Sequence, residues 1–182
     1  GRVVVPDGVD LHAADALAEA IAAASPEGRW LEPDEVATLL GHAGIRLGTA
    51  DEADGTEVVV GLVDDRSFGP LLHFGLGGLA AELLGDRAHR ILPLTDADAS
   101  RLLRSTRLSP LLFGAGGGKP VDEAALVDLV LRVSALADAL PQIGELELKP
   151  VVAGTDGVVV GGARVRVVPP PSGPGPLLRR LR

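Results

Sequence analysis

The spacing of apolar residues switches between two periods along the chain, one of three to four residues and one of two. The helical period, together with the capping residues Asp10, Thr95 and Asp122, predicts helices in several places. The predicted helices cover residues 10–24, 33–44, 95–105 and 122–140. The last one carries the clearest apolar stripe, from Leu126 to Leu140.

Alternating or short apolar runs fill most of the remaining chain. They predict strands over residues 57–63, 70–74, 145–152, 158–160 and 164–168. Residues 79–84 suit either a helix or a short buried strand, and 89–94 would be the partner of that strand. Turn residues at 154–157 predict a hairpin. The expected fold class is α/β, in the α+β sense, with a mixed or antiparallel sheet and helices packed against it.

Composition and charge narrow the possible functions. With 182 residues, 46% of them apolar, the chain can form one compact domain with a core. Its 17 basic and 25 acidic residues give a net charge of −8, which disfavours nucleic acid and anionic membranes as partners. No apolar run approaches the roughly 20 residues that span a bilayer, and the first residues show no secretion signal. We therefore expect a cytoplasmic protein.

Residues suited to catalysis or metal binding are sparse. The chain has no cysteine, which excludes disulfides and zinc-thiolate sites. The histidines at positions 12, 42, 73 and 89 lack the spacing of metal ligands, so we expect structural or solvated roles. The glycine-rich segment 114–120 departs from a Walker A loop, because Phe113 stands at the motif's first glycine and Pro120 at its Ser or Thr. We interpret this segment as a flexible loop.

A second glycine cluster contains Gly75, Gly77 and Gly78, which would let backbone amides approach an anion or simply form a turn. It lies within a longer series of segments. These are Val-Gly-Leu-Val-Asp-Asp-Arg-Ser-Phe-Gly-Pro at 60–70, Phe-Gly-Leu-Gly-Gly at 74–78, Glu-Leu-Leu-Gly-Asp at 82–86 and Leu-Pro-Leu-Thr at 92–95. Their order resembles the ATP-grasp module of ADP-forming acyl-CoA (acetate-CoA) synthetases, including those fused to GNAT-type protein acetyltransferases.

The resemblance implies an ATP-grasp fold reduced to its C-terminal subdomain at 56–168, preceded by a helical entry segment at 1–47. A Pro/Gly-rich tail follows at 169–182. In the intact family, the module works with ATP or ADP, Mg²⁺ and CoA, and a histidine carries phosphate between sites. The resemblance further implies nucleotide-binding positions, although structural roles also suit them. These positions are Gly75, Gly77, Gly78, Glu82 and Glu145.

Features that the resemblance leads us to expect are missing. The family has a nucleotide-clamping lid before its equivalent of strand 57–63, whereas only residues 48–55 stand there in this chain. Lys149 and Gly162 occupy the positions of the family's asparagine and aspartate magnesium ligands, and Gly116 replaces a family arginine. Magnesium requires oxygen ligands, so we assign no metal ligand and no catalytic residue. Cross-strand ion pairs would account for the alternating charges between Glu145 and Lys149.

We therefore expect a degenerate ATP-grasp domain that is not catalytic alone, needs no cofactor and has a regulatory, structural or assembly role. One alternative is a component of an active synthetase or acetyltransferase whose lid and phosphohistidine segment come from elsewhere. Another is a protein-binding domain that has kept only the scaffold.

Two structural expectations accompany this hypothesis. Residues 67–78 should form a strand, a turn and a glycine-rich loop beside 145–152. Loss of the lid should also expose an apolar face formed by Leu71, Leu72, Phe74 and Leu76. That face would be covered by residues 1–24, by a second copy in a homodimer, or by a CoA-binding, ligase or GNAT partner.

Overall fold

The computed structural model of the chain describes residues 1–65 and 67–169. Its α-helices are α1 (Leu11–Ala24), α2 (Pro33–His42), α3 (Leu79–Leu84), α4 (Asp96–Leu103) and α5 (Glu123–Ala139). The predicted caps are present. The Asp10 and Asp122 carboxylates accept hydrogen bonds from backbone amides of α1 and α5 at 2.9 and 3.0 Å, and Thr95 forms a capping box with Asp98.

One antiparallel sheet contains every strand of the described residues. The strands are β1 (Arg29–Trp30), β2 (Thr56–Asp65), β3 (Gly69–Leu76), β4 (Arg87–Ile91), β5 (Ile143–Gly154), β6 (Gly157–Val160) and β7 (Ala163–Val167). Their order is β1-β7-β5-β2-β3-β4, and β6 pairs with β5 as the predicted hairpin. The predicted sheet with packed helices is confirmed.

Residues 79–84 form helix α3, so the alternative prediction of a buried strand is wrong. Glycines with positive φ bound the segment, Gly78 at 88° and Gly85 at 60°, and such residues commonly end regular structure. Leu79, Leu83 and Leu84 are 74, 79 and 66% exposed. The strand predicted at 89–94 lies at 87–91 and pairs with β3 instead.

Helices α1, α2, α4 and α5 pack on one face of the sheet, and the core lies between them. Alternation along β3 turns Leu72, Phe74 and Leu76 toward these helices, where they are 0, 0 and 6% exposed. The predicted apolar face at these residues is therefore wrong. We call the opposite face of the sheet the outer face. It carries the residues of each strand that lie between the core-facing ones.

The N-terminal segment is built into the same sheet. Strand β1 pairs with β7, and the Arg29 guanidinium binds the Glu35 carboxylate of α2 at 2.6 and 2.7 Å. The proposed division at residues 47 and 56 stays a prediction, and the predicted tail lies outside the described residues beyond Pro169. Within the described part of the chain, no helix has the length and apolar character needed to cross a bilayer.

Candidate functional site

The outer face carries charged side chains where the core-facing residues of the same strands are apolar. On β5, Leu146 and Leu148 are buried, while Glu145 and Lys149 are exposed and Glu147 is half-buried. The period of two in the sequence therefore separates a core face from a polar face, as predicted.

Ion pairs join β5 to β7 across the outer face. The Glu145 carboxylate lies 3.9 Å from Arg166 Nη1, and the Glu147 carboxylate lies 3.7 Å from Arg164 Nε. The Arg164 guanidinium also lies 4.9 Å from the centre of the Trp30 ring. These contacts account for the alternating charges without a bound ligand. The sequence favours the same explanation, namely ion pairs across the strands.

Lys149 and Gly162, the positions implied for the family's metal ligands, face each other on this surface. The Lys149 backbone amide donates a hydrogen bond to the Gly162 carbonyl at 3.0 Å. The Lys149 ammonium forms an ion pair with the Glu82 carboxylate of α3, and this contact lowers the pKa of Glu82. A Cβ atom at Gly162 would lie 2.5 Å from the Lys149 carbonyl oxygen, so a side chain there would require a backbone shift.

The glycines of the second cluster position helix α3 beside Lys149. The Gly77 amide donates a hydrogen bond to the Glu57 carbonyl at 2.7 Å, and a Cβ on Gly77 would meet the Glu57 side chain at the same distance. Gly78 then turns the chain into α3 with a positive φ. Gly75 lies near the end of β3, where a Cβ would approach the Asp86 carbonyl at 2.8 Å.

The structure thus divides the predicted nucleotide-binding positions into two groups. Gly75, Gly77, Gly78 and Glu82 lie at the same end of the sheet as Lys149. Glu145 is four residues earlier on β5, about 13 Å along the strand. Residues 67–78 form a turn, β3 and a glycine pair. The prediction that they lie directly beside residues 145–152 is wrong, because β2 pairs with both strands and lies between β3 and β5. A nucleotide-binding role for any of these residues stays a prediction.

A cleft of about 150 Å³ on the outer face brings Glu145 together with residues that the sequence did not indicate as site residues. Its lining includes Trp30, His73, Arg87, Glu145, Glu147 and Arg164. His73 is buried, and Arg87 Nη1 lies 3.3 Å from His73 Nδ1. Burial, with smaller effects from Arg87 and His89, lowers the pKa of His73 to about 4. The sequence signal that could have indicated His73 is the alternation along β3, which places its side chain on the face opposite that of Phe74.

A family magnesium ion does not fit the residues at Lys149. An ammonium stands where an oxygen ligand is expected, Gly162 supplies no side-chain donor, and Glu82 is already paired. Among the residues that the structure describes, no three His, Asp or Glu side chains are grouped closely enough to bind a metal ion.

The connection before β2 is short and closely held. Residues 48–55 join the Leu47 bridge to the start of β2. The Gly48 amide donates a hydrogen bond to the Val160 carbonyl at 2.8 Å, and the Ala53 amide donates one to the Ala50 carbonyl at 3.0 Å. These bonds make the connection a turn along the edge of the sheet.

Residues 42–167, more than half of the chain, match the ATP-grasp domain family. The chain belongs to the ATP-grasp domain family. This confirms the resemblance seen in the sequence and the expected fold class.

Related proteins that match this ATP-grasp domain include acyl-CoA ligases. Acetate-CoA ligase (ADP-forming) I subunit beta of Pyrococcus furiosus is 41% identical over 111 residues, which cover 61% of this chain and 48% of the subunit. The 4-hydroxybutyrate-CoA ligase (ADP-forming) of Nitrosopumilus maritimus is 34% identical over 98 residues, covering 54% of this chain and 14% of the ligase. The chain therefore spans about half of the length of a separate beta subunit.

Solved structures give the same relationship. Dinucleotide-forming acetyl-coenzyme A synthetase 1 of Candidatus Korarchaeum cryptofilum, in complex with coenzyme A and Mg-AMPPCP, is similar with a TM-score of 0.60 and 36% identity, over 63% of this chain and 54% of that one. The protein PH1788 of Pyrococcus horikoshii has a TM-score of 0.74 at 22% identity, over 87% of this chain and 99% of that one. The second similarity concerns the fold alone.

Proposed function

We propose that this chain is a degenerate ATP-grasp domain that does not catalyse acyl-CoA synthesis alone and has a structural or assembly role in a CoA-ligase or acetyltransferase system. The ion pair between Lys149 and Glu82, beside Gly162, carries this proposal. A Mg²⁺ ion placed there would have to displace the Lys149 ammonium from Glu82 and would find no side-chain ligand at Gly162.

The short connection before β2 supports the same proposal. A nucleotide is held in an ATP-grasp module between the sheet and a lid, as the resemblance implies. Residues 48–55 form a turn that is held against Val160, and eight residues provide too little chain for a two-stranded lid with its turn and its connections.

A thermal shift series tests the proposal directly. We expect ADP and Mg²⁺ together to raise the melting temperature of the wild-type chain no more than either alone, because a ligand stabilises only a state that it binds. Lys149→Asn, which supplies an amide oxygen, and Lys149→Met, which does not, should both lack a Mg²⁺-dependent shift, because Gly162 still supplies no ligand and residues 48–55 are still too short for a lid. The Pyrococcus furiosus beta subunit is the positive control. A wild-type response to Mg-ADP that exceeds the responses to the separate components would refute the proposal.

A second candidate is a component of an active synthetase or acetyltransferase. It is favoured by the relatives named as beta subunits, which belong to ligases made of more than one chain. A partner chain would supply the lid and the phosphohistidine segment. Reconstitution with a CoA-binding ligase chain or a GNAT-type acetyltransferase distinguishes the two candidates: ATP formation from acyl-CoA, ADP and phosphate that requires this chain supports the component role.

A further inference from the structure

The glycine-rich loop from Gly114 to Lys119 lies outside the site described above and borders a separate cleft. The cleft measures about 270 Å³ and lies where the start of β2, the turn between β5 and β6, and the loop meet. Its polar lining includes Thr56, Thr155 and Lys119. The lining also includes Ala153 of β5. Lys149 lies on the outer face, four residues earlier on β5, so the two residues are about 13 Å apart along the strand.

The loop backbone is shaped to present amide groups. Gly114 and the adjacent pair Gly116 and Gly117 have φ values of 92, 73 and 83°, so three of the loop residues have the positive φ that favours glycine. Turns of this kind form concave surfaces lined by N–H groups, which donate hydrogen bonds to a bound anion. Within residues 1–65 and 67–169, the backbone amides of Gly118 and Lys119 have no hydrogen-bond acceptor.

Both ends of the loop are fixed to the domain. The Val121 amide donates a hydrogen bond to the Leu112 carbonyl at 2.9 Å, and the Asp122 amide donates one to the Gly154 carbonyl at 2.7 Å. Asp122 also caps α5. The loop is therefore held against the β5–β6 turn, and this anchoring reduces the ordering cost of ligand binding.

We propose that this cleft binds a phosphate group, through the Gly118 and Lys119 amides, the Lys119 ammonium and the hydroxyls of Thr56 and Thr155. Lys119 is exposed and makes no ion pair with the described residues. Its charge is therefore available to an incoming anion, and charge-assisted hydrogen bonds to amides and ammonium groups are the usual means of holding one. The Asp54 carboxylate lines the same cleft and opposes an anion there.

Phosphate titration followed by amide NMR tests this site, with chloride at matched ionic strength as the reference. We expect saturable shifts of the Gly118 and Lys119 amides. Lys119→Met should weaken phosphate binding by about tenfold, since a hydrogen bond to a charged group contributes about that factor. Asp54→Asn should tighten binding by about threefold, because it removes an opposing charge at the same cleft.

Matched controls separate this site from the proposed function. Lys149→Met changes the other lysine of the chain, which lies on the outer face and not in this cleft, and should leave phosphate affinity unchanged. Gly118→Ala should also leave it unchanged, because it keeps the backbone amide at a φ of −70° that alanine accepts. AMP titration distinguishes free phosphate from the phosphoryl group of a nucleotide, because only a nucleotide would also shift residues beyond the loop. Linear shifts matching those of chloride, or equal affinity of wild type and Lys119→Met, would overturn the proposal.

Discussion

At the residue scale, His73 has the structural role that the sequence allowed for it, as a buried side chain of β3. It pairs in register with Gly61 of β2, and a Cβ on Gly61 would lie 2.5 Å from His73 Nε2. The glycine thus makes room for an imidazole ring that is only 3% exposed. Burial beside Arg87 makes the neutral ring the stable form in the folded chain.

This environment predicts a pH dependence of stability. The pKa of His73 is lowered from 6.5 to about 4 on folding, so the unfolded chain binds a proton first as the pH falls. Stability from neutral His73 is complete above pH 6.5 and is lost progressively toward pH 4, by about 2 kcal/mol at pH 5. Urea unfolding at pH 7.5 and 5 measures the loss. His73→Asn should reduce the difference, and His89→Asn, on the exposed neighbour, should retain it. Equal pH dependence in all three chains would contradict the prediction.

Local patterns predicted only part of the site. Alternation along β5 was enough to place Glu145, Glu147 and Lys149 on one polar face. The approach of Glu82 to Lys149 depends on α3 crossing the end of the sheet, a contact between residues 67 positions apart. No local pattern specifies such a contact. The burial of His73 likewise depends on β2 and β4, which flank β3 on both sides.

At the element scale, strong patterns with clear caps predicted their elements well. Helices α1, α2, α4 and α5 and the hairpin of β5 and β6 were predicted because capping residues, prolines and glycines mark their ends. The segment 79–84 was ambiguous because six residues are too few to establish a period. Strand β1 was not predicted, since its two residues pair only because β7 is beside them.

The contact between β1 and α2 gives a prediction at this scale. The Glu35 carboxylate accepts hydrogen bonds from Arg29, which together with the Glu32 amide lower its pKa to about 2. Its stabilising effect is therefore present above the ordinary pKa of 4.5 and is lost as the pH falls toward 2. Glu35→Gln should cost about 1 kcal/mol at pH 7, a figure kept low because solvent screens this half-exposed pair.

Asp34→Asn is the matched control, because it removes a charge from the same helical turn without touching Arg29. Denaturant unfolding at pH 7 and pH 3 should show a smaller cost of Glu35→Gln at the lower pH. A cost that stays constant with pH, or that equals the cost of Asp34→Asn, would show that the ion pair does not anchor β1.

At the scale of the whole molecule, apolar surface remains exposed next to the outer face, although in a different place from the one predicted. Leu79, Leu83 and Leu84 of α3 are each at least 66% exposed, while Phe74 is buried. Clustered exposed leucines commonly mark an interaction site. The net charge of −8 opposes association of two copies in general.

The outer face does not share this excess of negative charge. Its basic residues, Arg87, Lys149, Arg164 and Arg166, balance the acidic Glu82, Glu145 and Glu147. Two copies that meet through α3 therefore bring together their leucines and a surface without excess negative charge. We propose this arrangement as the homodimer contact, and a twofold interface would cover the patch on both copies.

Sedimentation velocity over a micromolar concentration range tests the contact. We expect the wild-type chain to shift toward a dimer as concentration rises, and Leu83→Glu to remain monomeric because it places two carboxylates at the centre of the contact. Val4→Glu is the control, since Val4 is 44% exposed on the N-terminal segment and should leave the dimer intact. Both substitutions lie at exposed positions and should change the free energy of unfolding of the monomer by less than about 0.5 kcal/mol. A wild-type chain that stays monomeric throughout the range, or equal effects of Leu83→Glu and Val4→Glu, would exclude α3 as the self-association surface.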